Sequence, residues 1–264
     1  MKKRPIGIFD SGVGGLTVLR EIEKILPCED IIYFGDTARV PYGNKSTSTI
    51  KKFSTENTLF LLQKRVKMVV VACNTSSALA LDYLQDIFNL PIIGVIEAGV
   101  RKAVEFSSKG KIGVIGTRST IESGSYEGSI LKLNRKLKVY NRTCPVFVPL
   151  VEEGILKGKL VDEAIKMYLD YFKRKKIDTI ILGCTHYPLL KRQISGYLKN
   201  VFVVDSAKEV AGHARNILQN NDLLNPLKKE GRKRFYVSDE SRNFINLARL
   251  FLKRKISKPR MINV

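Results

Sequence analysis

The chain has 264 residues, of which 44% are hydrophobic and 27% are charged, a composition typical of a globular protein with a buried core. It contains no run of about 18 apolar residues, and its basic N-terminus is not followed by the apolar segment of a signal peptide. We therefore expect no transmembrane helix, no membrane partner and a cytoplasmic location.

The net charge is strongly basic, because 46 Lys and Arg residues stand against 25 Asp and Glu residues, giving a formal charge of +21. A charge of this size raises nucleic acid as a partner. The basic residues are nevertheless spread along the chain, as at 51–52, 173–176 and 253–255, and no nucleic-acid-binding motif accompanies them. We favour a solvated basic surface, and keep a secondary DNA-related binding role as an alternative.

The four cysteines are Cys28, Cys73, Cys144 and Cys184, and none lies in a CxxC pair or at another close spacing typical of metal sites. A cytosolic chain of this size does not need disulfides, so free thiols and no metal site are expected. Cys28 and Cys144 are interpreted as structural.

Short apolar runs alternate with longer helical patterns along the chain. The predicted strands are, in order, 5–10, 30–36, 67–73, 91–98, 111–117, 138–142, 178–184 and 200–206. Between them, helical patterns cover 15–26, 47–64, 76–88, 160–175 and 207–218. This alternation predicts an α/β fold with mainly parallel sheets.

An internal repeat indicates two related halves. Residues 6–11 can be laid over 112–117, and Cys73 then matches Cys184 after similar apolar runs, although chance similarity between strands is the alternative. The repeat predicts two pseudo-symmetric α/β domains, 1–96 plus 208–264 and 97–207. If these halves face each other, the two cysteines approach one pocket in the cleft between them. The tail is predicted to carry a strand at 234–238, a helix at 240–252 and a final segment at 260–264, and to pack against the first half.

Polar groups follow several of the predicted strands. In open parallel sheets, ligands bind beyond the carboxyl ends of the strands. Those ends carry Asp10-Ser11, Gly35-Asp36, Cys73-Asn74-Thr75, Gly116-Thr117 and Cys184-Thr185-His186. These residues also have purely structural explanations. Asp10 would cap the following helix, either cysteine would pack in the core, and His186 would be hydrogen-bonded near the end of a strand.

Several chemistries fit part of this set. A dinucleotide site would use the glycines of 12–17 with Asp36 on a ribose, but Asp10 would then face a pyrophosphate, and both cysteines would be unexplained. A Cys/His amidase would use one thiol, and a zinc site would lack ligands. Two opposed thiols instead fit proton transfer at a stereocentre, with one removing the α-proton and the other returning a proton.

Four long motifs carry a family resemblance: GIFDSGVGGLTV (7–18), YFGDTARVPYG (33–43), ACNTSS (72–77) and GCTHYPL (183–189). Through them the chain resembles, over essentially its whole length, the glutamate racemases of the aspartate/glutamate racemase superfamily. The resemblance implies interconversion of L- and D-glutamate for peptidoglycan synthesis, without pyridoxal phosphate, other cofactor or metal, by a homodimer. Aspartate racemase or another superfamily member is the alternative within this group.

The resemblance also implies residue roles. Cys73 would act on D-glutamate with help from Asp10, and Cys184 would act on L-glutamate with help from His186. The implied substrate-binding residues are Asp10, Ser11, Tyr42, Gly43, Asn74, Thr75, Thr117, Glu152, Thr185 and His186.

Overall fold

Two parallel sheets form the framework of the protein within residues 1–239 and 244–263, which the computed structural model describes. The strands are β1 (Ile6–Asp10), β2 (Ile31–Gly35), β3 (Met68–Val71), β4 (Ile92–Gly94), β5 (Lys111–Gly116), β6 (Lys138–Thr143), β7 (Thr179–Gly183), β8 (Phe202–Val204), β9 (Lys233–Val237) and β10 (Arg260–Met261). One sheet has the order β10-β9-β2-β1-β3-β4, and the other has the order β6-β5-β7-β8. Each of these neighbouring pairs is parallel, so the predicted fold class is confirmed.

The repeat seen in the sequence reappears in the strand order. If β5 to β8 are matched to β1 to β4, the order β6-β5-β7-β8 becomes β2-β1-β3-β4, which is the order inside the first sheet. The central strands β1, β3 and β7 are buried throughout, because helices cover both faces of a parallel sheet. The domain boundaries near residues 96 and 207 stay a prediction.

Helices connect the strands and cover the sheets. They are α1 (Leu16–Ile25), α2 (Thr47–Gln63), α3 (Asn74–Leu79), α4 (Leu81–Ile87), α5 (Ile96–Phe106), α6 (Arg118–Glu122), α7 (Ser125–Leu133), α8 (Phe147–Glu152), α9 (Lys159–Lys175), α10 (Lys191–Tyr197), α11 (Ser206–Asn220) and α12 (Phe244–Leu252). Short 3₁₀ turns lie at Thr37–Arg39, Tyr42–Asn44 and Tyr187–Leu190. Within the described ranges, no helix has both the length and the apolar character needed to cross a membrane.

Two predicted helices differ from the structure. The pattern at 76–88 is divided into α3 and α4, because Ala80 leaves the helical region with φ −128°. Apolar periodicity continues across this break, which is why the sequence predicted one helix. Of the helix predicted at 240–252, residues 240–243 lie outside the described residues, and α12 begins at Phe244. Residue 264 of the predicted final segment also lies outside them.

The tail returns to the first sheet, where β9 pairs with β2. A buried ion pair helps to hold it, since Lys67 Nζ lies 2.5 Å from a Glu29 carboxylate oxygen and both side chains are almost fully shielded from solvent. Lys67 also donates to the Leu223 carbonyl at 2.7 Å, while Glu29 accepts from the Asn225 N–H at 2.8 Å. The pair therefore links β3 and the end of α1 to the tail.

Candidate active site

The carboxyl ends of β1, β3, β5 and β7 meet at one cavity of about 240 Å³ between the two sheets. Most of the residues predicted for the site line it: Ser11, Tyr42, Gly43, Cys73, Asn74, Thr75, Thr117, Glu152, Cys184, Thr185 and His186. The remaining one, Asp10, is fully buried behind the wall. The structure thus brings the predicted residues together, and their individual roles stay predictions.

Both thiols reach this cavity from equivalent places in the two sheets. Cys73 follows β3 and is the residue immediately before α3, whereas Cys184 follows β7. They are 5% and 6% exposed, so each is shielded from bulk water while lining the cavity. A ligand held there is reached by a thiol from each half.

His186 links Cys184 to a carboxylate. Its Nδ1 lies 3.8 Å from the Cys184 Sγ, and its Nε2 lies 3.0 Å from a Glu152 carboxylate oxygen. Burial lowers the pKa of His186, but hydrogen bonds and charge interactions with Cys184 and Glu152 outweigh burial and raise it to about 10. The ring is therefore an imidazolium at neutral pH, with one ring nitrogen beside the Cys184 sulfur and the other beside the Glu152 carboxylate.

The Asp10 carboxylate accepts hydrogen bonds from a backbone N–H group and from a hydroxyl group. One carboxylate oxygen accepts from the Gly12 N–H at 3.0 Å, and the other accepts from the Thr185 hydroxyl at 3.4 Å. Burial raises the pKa of Asp10, while the charge of His186 and these hydrogen bonds act in the opposite direction. On balance the pKa of Asp10 is raised, and its carboxyl group joins the two halves through Thr185.

The environment of Cys73 differs from that of Cys184. Burial and the nearby charge of Asp10 raise the pKa of the Cys73 thiol to about 11, although donors on Ser76 and Ser11 oppose this. Cys73 is consequently a thiol at neutral pH. The two sulfurs thus face the cavity under opposite electrostatic influence, a carboxylate for Cys73 and an imidazolium for Cys184.

Hydroxyl and amide groups join the halves around the cavity. The Thr75 and Thr117 hydroxyl oxygens lie 3.0 Å apart, and each is also within 3.2 Å of the Thr120 hydroxyl. Tyr126 donates to the Asn74 side-chain oxygen at 2.6 Å, which leaves the Asn74 amide hydrogens for another acceptor. These contacts hold the donors in place before any substrate arrives.

Two glycines allow this close approach. A Cβ atom at Gly14 would lie 2.7 Å from the His186 Nδ1, and one at Gly43 would lie 2.6 Å from the Thr117 Cβ. Both distances are far below ordinary van der Waals contact. The absence of a side chain at Gly14 and Gly43 therefore lets the backbone of the first half lie against His186 and Thr117 of the second.

Asp36 is not placed to bind the ribose of a dinucleotide. It is fully buried and accepts from Arg39 Nε at 2.7 Å, from the Ser238 hydroxyl at 2.8 Å and from the Tyr42 hydroxyl. Because these donors occupy the carboxylate, it is not available to a ribose. What Tyr42 presents to the cavity is therefore not a free hydroxyl.

Sequence reasoning missed part of the cavity wall. Arg118, at the start of α6, places a positive charge at the cavity, and Pro145, Val148 and Pro149 add apolar surface to its wall. Arg118 lies in a strand-end motif that the sequence did reveal, so its charge was a usable signal. The residues around α8 carry no such signal, because six residues are too few for a helical period to emerge.

The comparisons with known proteins agree with this geometry. The family model described as Asp/Glu/Hydantoin racemase matches residues 6–214. A glutamate racemase from Geobacter metallireducens is 48% identical over 257 residues, covering 97% of this chain and 95% of that protein. One from Aquifex aeolicus is 46% identical, covering 94% and 93% respectively.

Solved structures give the same result. The glutamate racemase of Francisella tularensis in complex with D-glutamate has a TM-score of 0.94 and 41% identity, covering 100% of this chain and 98% of that one. The Escherichia coli glutamate racemase, solved with L-glutamate and the activator UDP-MurNAc-Ala, has a TM-score of 0.79 and 28% identity over 95% of this chain and 94% of that one. By sequence and by structure, the chain belongs to the Asp/Glu/Hydantoin racemase family.

Proposed function

We propose that this chain is a cofactor-independent glutamate racemase that interconverts L- and D-glutamate with two thiols, and so supplies D-glutamate for peptidoglycan synthesis. The observation that carries the mechanism is the pair Cys73 and Cys184, which line one cavity from equivalent strand ends of two sheets. The comparisons support glutamate as the substrate, since relatives that are 48% and 46% identical over nearly the whole chain are glutamate racemases. The racemase of Francisella tularensis binds D-glutamate on the same fold.

The reaction begins with L-glutamate and a Cys184 thiolate, which the neighbouring His186 imidazolium stabilises. The thiolate takes the α-proton, and the electron pair of the Cα–H bond moves toward the α-carboxylate. The Cys73 thiol then gives its proton to the opposite face of Cα, which produces D-glutamate, a Cys184 thiol and a Cys73 thiolate. The reverse reaction uses the same groups in exchanged roles, as a two-base mechanism requires.

The developing negative charge needs donors in a site that excludes water. The Thr75 and Thr117 hydroxyls, the Asn74 side-chain amide and the Ser11 hydroxyl line the cavity and are proposed to bind the substrate carboxylates. Thr185 is the hydroxyl nearest to the second thiol along the chain, and Glu152 holds the far side of His186. The remaining proposed substrate contacts, Tyr42 and Gly43, form the opposite wall.

Substitution of each thiol tests the mechanism. Cys73→Ala and Cys184→Ala should each reduce racemisation by at least about 10³-fold, because one acid or base is lost from a reaction that needs both. The readout is circular dichroism of L-glutamate in metal-free buffer. The matched control is Cys28→Ala, since Cys28 is free, only partly buried and outside the cavity wall. Full activity in either active-site variant contradicts the two-thiol mechanism.

Two further measurements narrow the proposal. In D₂O, the inverted product should carry solvent deuterium at Cα, since each thiol exchanges its proton with water between turnovers. Side-by-side assays with glutamate and aspartate should show turnover of glutamate, and turnover of aspartate alone would replace the substrate proposed here. The DNA-related role rests on the net charge of +21, and we expect no DNA binding at moderate salt.

The location and assembly complete the proposal. A cytoplasmic location suits an enzyme with two catalytic thiols, because the cytosol keeps cysteines reduced. A homodimer is supported by the family resemblance and by α9, which exposes the apolar residues Leu160 and Met167 seven positions apart on one helix face. Light scattering coupled to size-exclusion chromatography should give twice the chain mass of 29.8 kDa.

A further inference from the structure

Beneath one wall of the cavity lies a buried polar network, here called the Asp36 cluster, which comprises Asp36, Arg39, Tyr42, Asn57 and Ser238. We propose that this cluster positions the Tyr42–Gly43 wall and thereby sets the affinity of the enzyme for its substrate. The inference rests on the proposed racemase function only for its kinetic test. None of its members except Tyr42 lines the cavity, so the others are positioning residues.

Asp36 is the centre of the cluster. One of its oxygens accepts from Arg39 Nε at 2.7 Å and from the Tyr42 hydroxyl, and the other accepts from the Ser238 hydroxyl at 2.8 Å. A buried carboxylate is tolerated only when donors replace its lost hydration. Three donors from three segments therefore converge on Asp36, and Tyr42 is one of them.

Asn57 on α2 fixes the same hydroxyl from a second direction. Its amide donates to the Tyr42 hydroxyl oxygen at 3.1 Å, and its carbonyl oxygen accepts from Arg39 Nη2 at 2.9 Å. Arg39 also pairs with Glu56 and lies 4.2 Å from the centre of the Phe53 ring. The Tyr42 hydroxyl thus donates once and accepts once, which fixes both the depth and the rotation of its ring.

The charge state of Tyr42 suits this role. Burial and the adjacent Asp36 carboxylate raise the pKa of Tyr42 far above its ordinary value, so the hydroxyl keeps its proton throughout the range of an enzyme assay. The hydrogen bond to Asp36 therefore persists across that range, and the wall should not loosen with pH.

The fixed ring controls the adjacent backbone. Gly43 follows Tyr42 directly, and its carbonyl accepts from the Ser119 hydroxyl of the second half at 2.8 Å. Residues 40–44 line the cavity, and Gly43 lies against Thr117. The wall is therefore anchored to the first half through the Tyr42 side chain and to the second half through the Gly43 carbonyl. Loss of the first anchor frees the wall to move, while the two thiols stay on their strand ends.

The kinetic test uses Tyr42→Phe, Asn57→Leu and the double variant. A buried hydrogen bond contributes about 0.5–1.5 kcal/mol net, so each single variant should raise KM for glutamate up to about tenfold. The kcat should change less than threefold, because neither thiol is displaced. Since both substitutions act through one hydroxyl, the double variant should resemble Tyr42→Phe rather than combine the two effects.

A control separates positioning from general stability. Glu29→Gln breaks the buried ion pair with Lys67, far along the sheet from the cavity wall, and should lower the stability without raising KM. The enantiomers have equal free energy, so kcat/KM must fall equally for L- and D-glutamate in every variant, which checks the data internally. An unchanged KM in Tyr42→Phe, or an equal KM increase in Glu29→Gln, overturns the proposal.

A second measurement is independent of catalysis. Amide hydrogen exchange at residues 42–45 should accelerate in Tyr42→Phe and in Asn57→Leu, while exchange in β1 and β3 stays as in wild type. Unchanged exchange at residues 42–45 refutes the positioning role even if wild type proves inactive on glutamate. An inactive wild type with accelerated exchange refutes only the proposed function, so the two failures are distinguishable.

Discussion

Replacement of Gly14 by alanine should damage catalysis although it adds a single methyl group. The new Cβ would lie 2.7 Å from the His186 Nδ1 and 2.8 Å from its Cε1, where ordinary contact begins at 3.4 Å. The Thr185 hydroxyl oxygen is closer still. The imidazole must therefore retreat by at least 0.7 Å, and the hydroxyl by more.

The magnitude follows from that displacement. A misplacement of about 1 Å at a catalytic group costs on the order of 10²-fold in rate. The retreat also disturbs the contact between His186 Nδ1 and Cys184 Sγ, which lie 3.8 Å apart in wild type. We expect kcat/KM for L-glutamate to fall about 100-fold, measured by circular dichroism.

A matched variant controls for the methyl group itself. Gly128 lies inside α7, and a Cβ there would have no neighbour within 4 Å. Gly128→Ala should keep full activity and gain up to about 1 kcal/mol of stability, because alanine favours the helix. Gly14→Ala with kcat/KM within threefold of wild type would refute the argument that the two halves meet this closely at His186.

Two other predictions concern stability. Lys67→Met should lower the free energy of unfolding by about 3–5 kcal/mol, because it leaves Glu29 buried without its cation. The control is Lys24→Met at an exposed ion pair, which should change the free energy of unfolding by less than about 1 kcal/mol. Urea unfolding measures both effects. The pKa of His186 is raised from 6.5 to about 10, so the folded state holds a proton that the unfolded state has lost over this range. The stabilisation is therefore complete below pH 6.5 and disappears as the pH rises to 10, and the stability advantage of wild type over His186→Asn should shrink between pH 7 and pH 10. A constant difference would contradict the imidazolium.

The meeting of Cys73 and Cys184 was predictable because two rules act together. Parallel strands place their carboxyl ends at one edge, and a repeat places equivalent ends in equivalent positions. The cysteines, their hydroxyl neighbours and His186 all follow apolar runs, so local sequence located them. The order of the strands within each sheet was not predicted, and it is the same in both halves, as the repeat implies.

The residues that hold the cavity-lining side chains in place were not predictable in the same way. Asp36 depends on Asn57 in the middle of a helix and on Ser238 about 200 positions along the chain. No periodicity connects such residues, and Ser238 comes near Asp36 only because β9 pairs with β2. Tyr126, which holds Asn74 from the other half, was equally hidden, because a tyrosine in an amphipathic helix has the pattern of ordinary core packing.

The position of β9 beside β2 has a consequence for synthesis on the ribosome. The strands of the second sheet, β5 to β8, are consecutive in the chain, so that sheet can form as soon as residue 204 has emerged. The first sheet begins earlier but waits for β9, which starts only at Lys233. Until then the edge of β2 is open, and at about 5–20 residues per second the wait lasts for many seconds. The half that is translated first is therefore completed last, and its exposed edge is the segment most in need of protection from aggregation while the chain is being made.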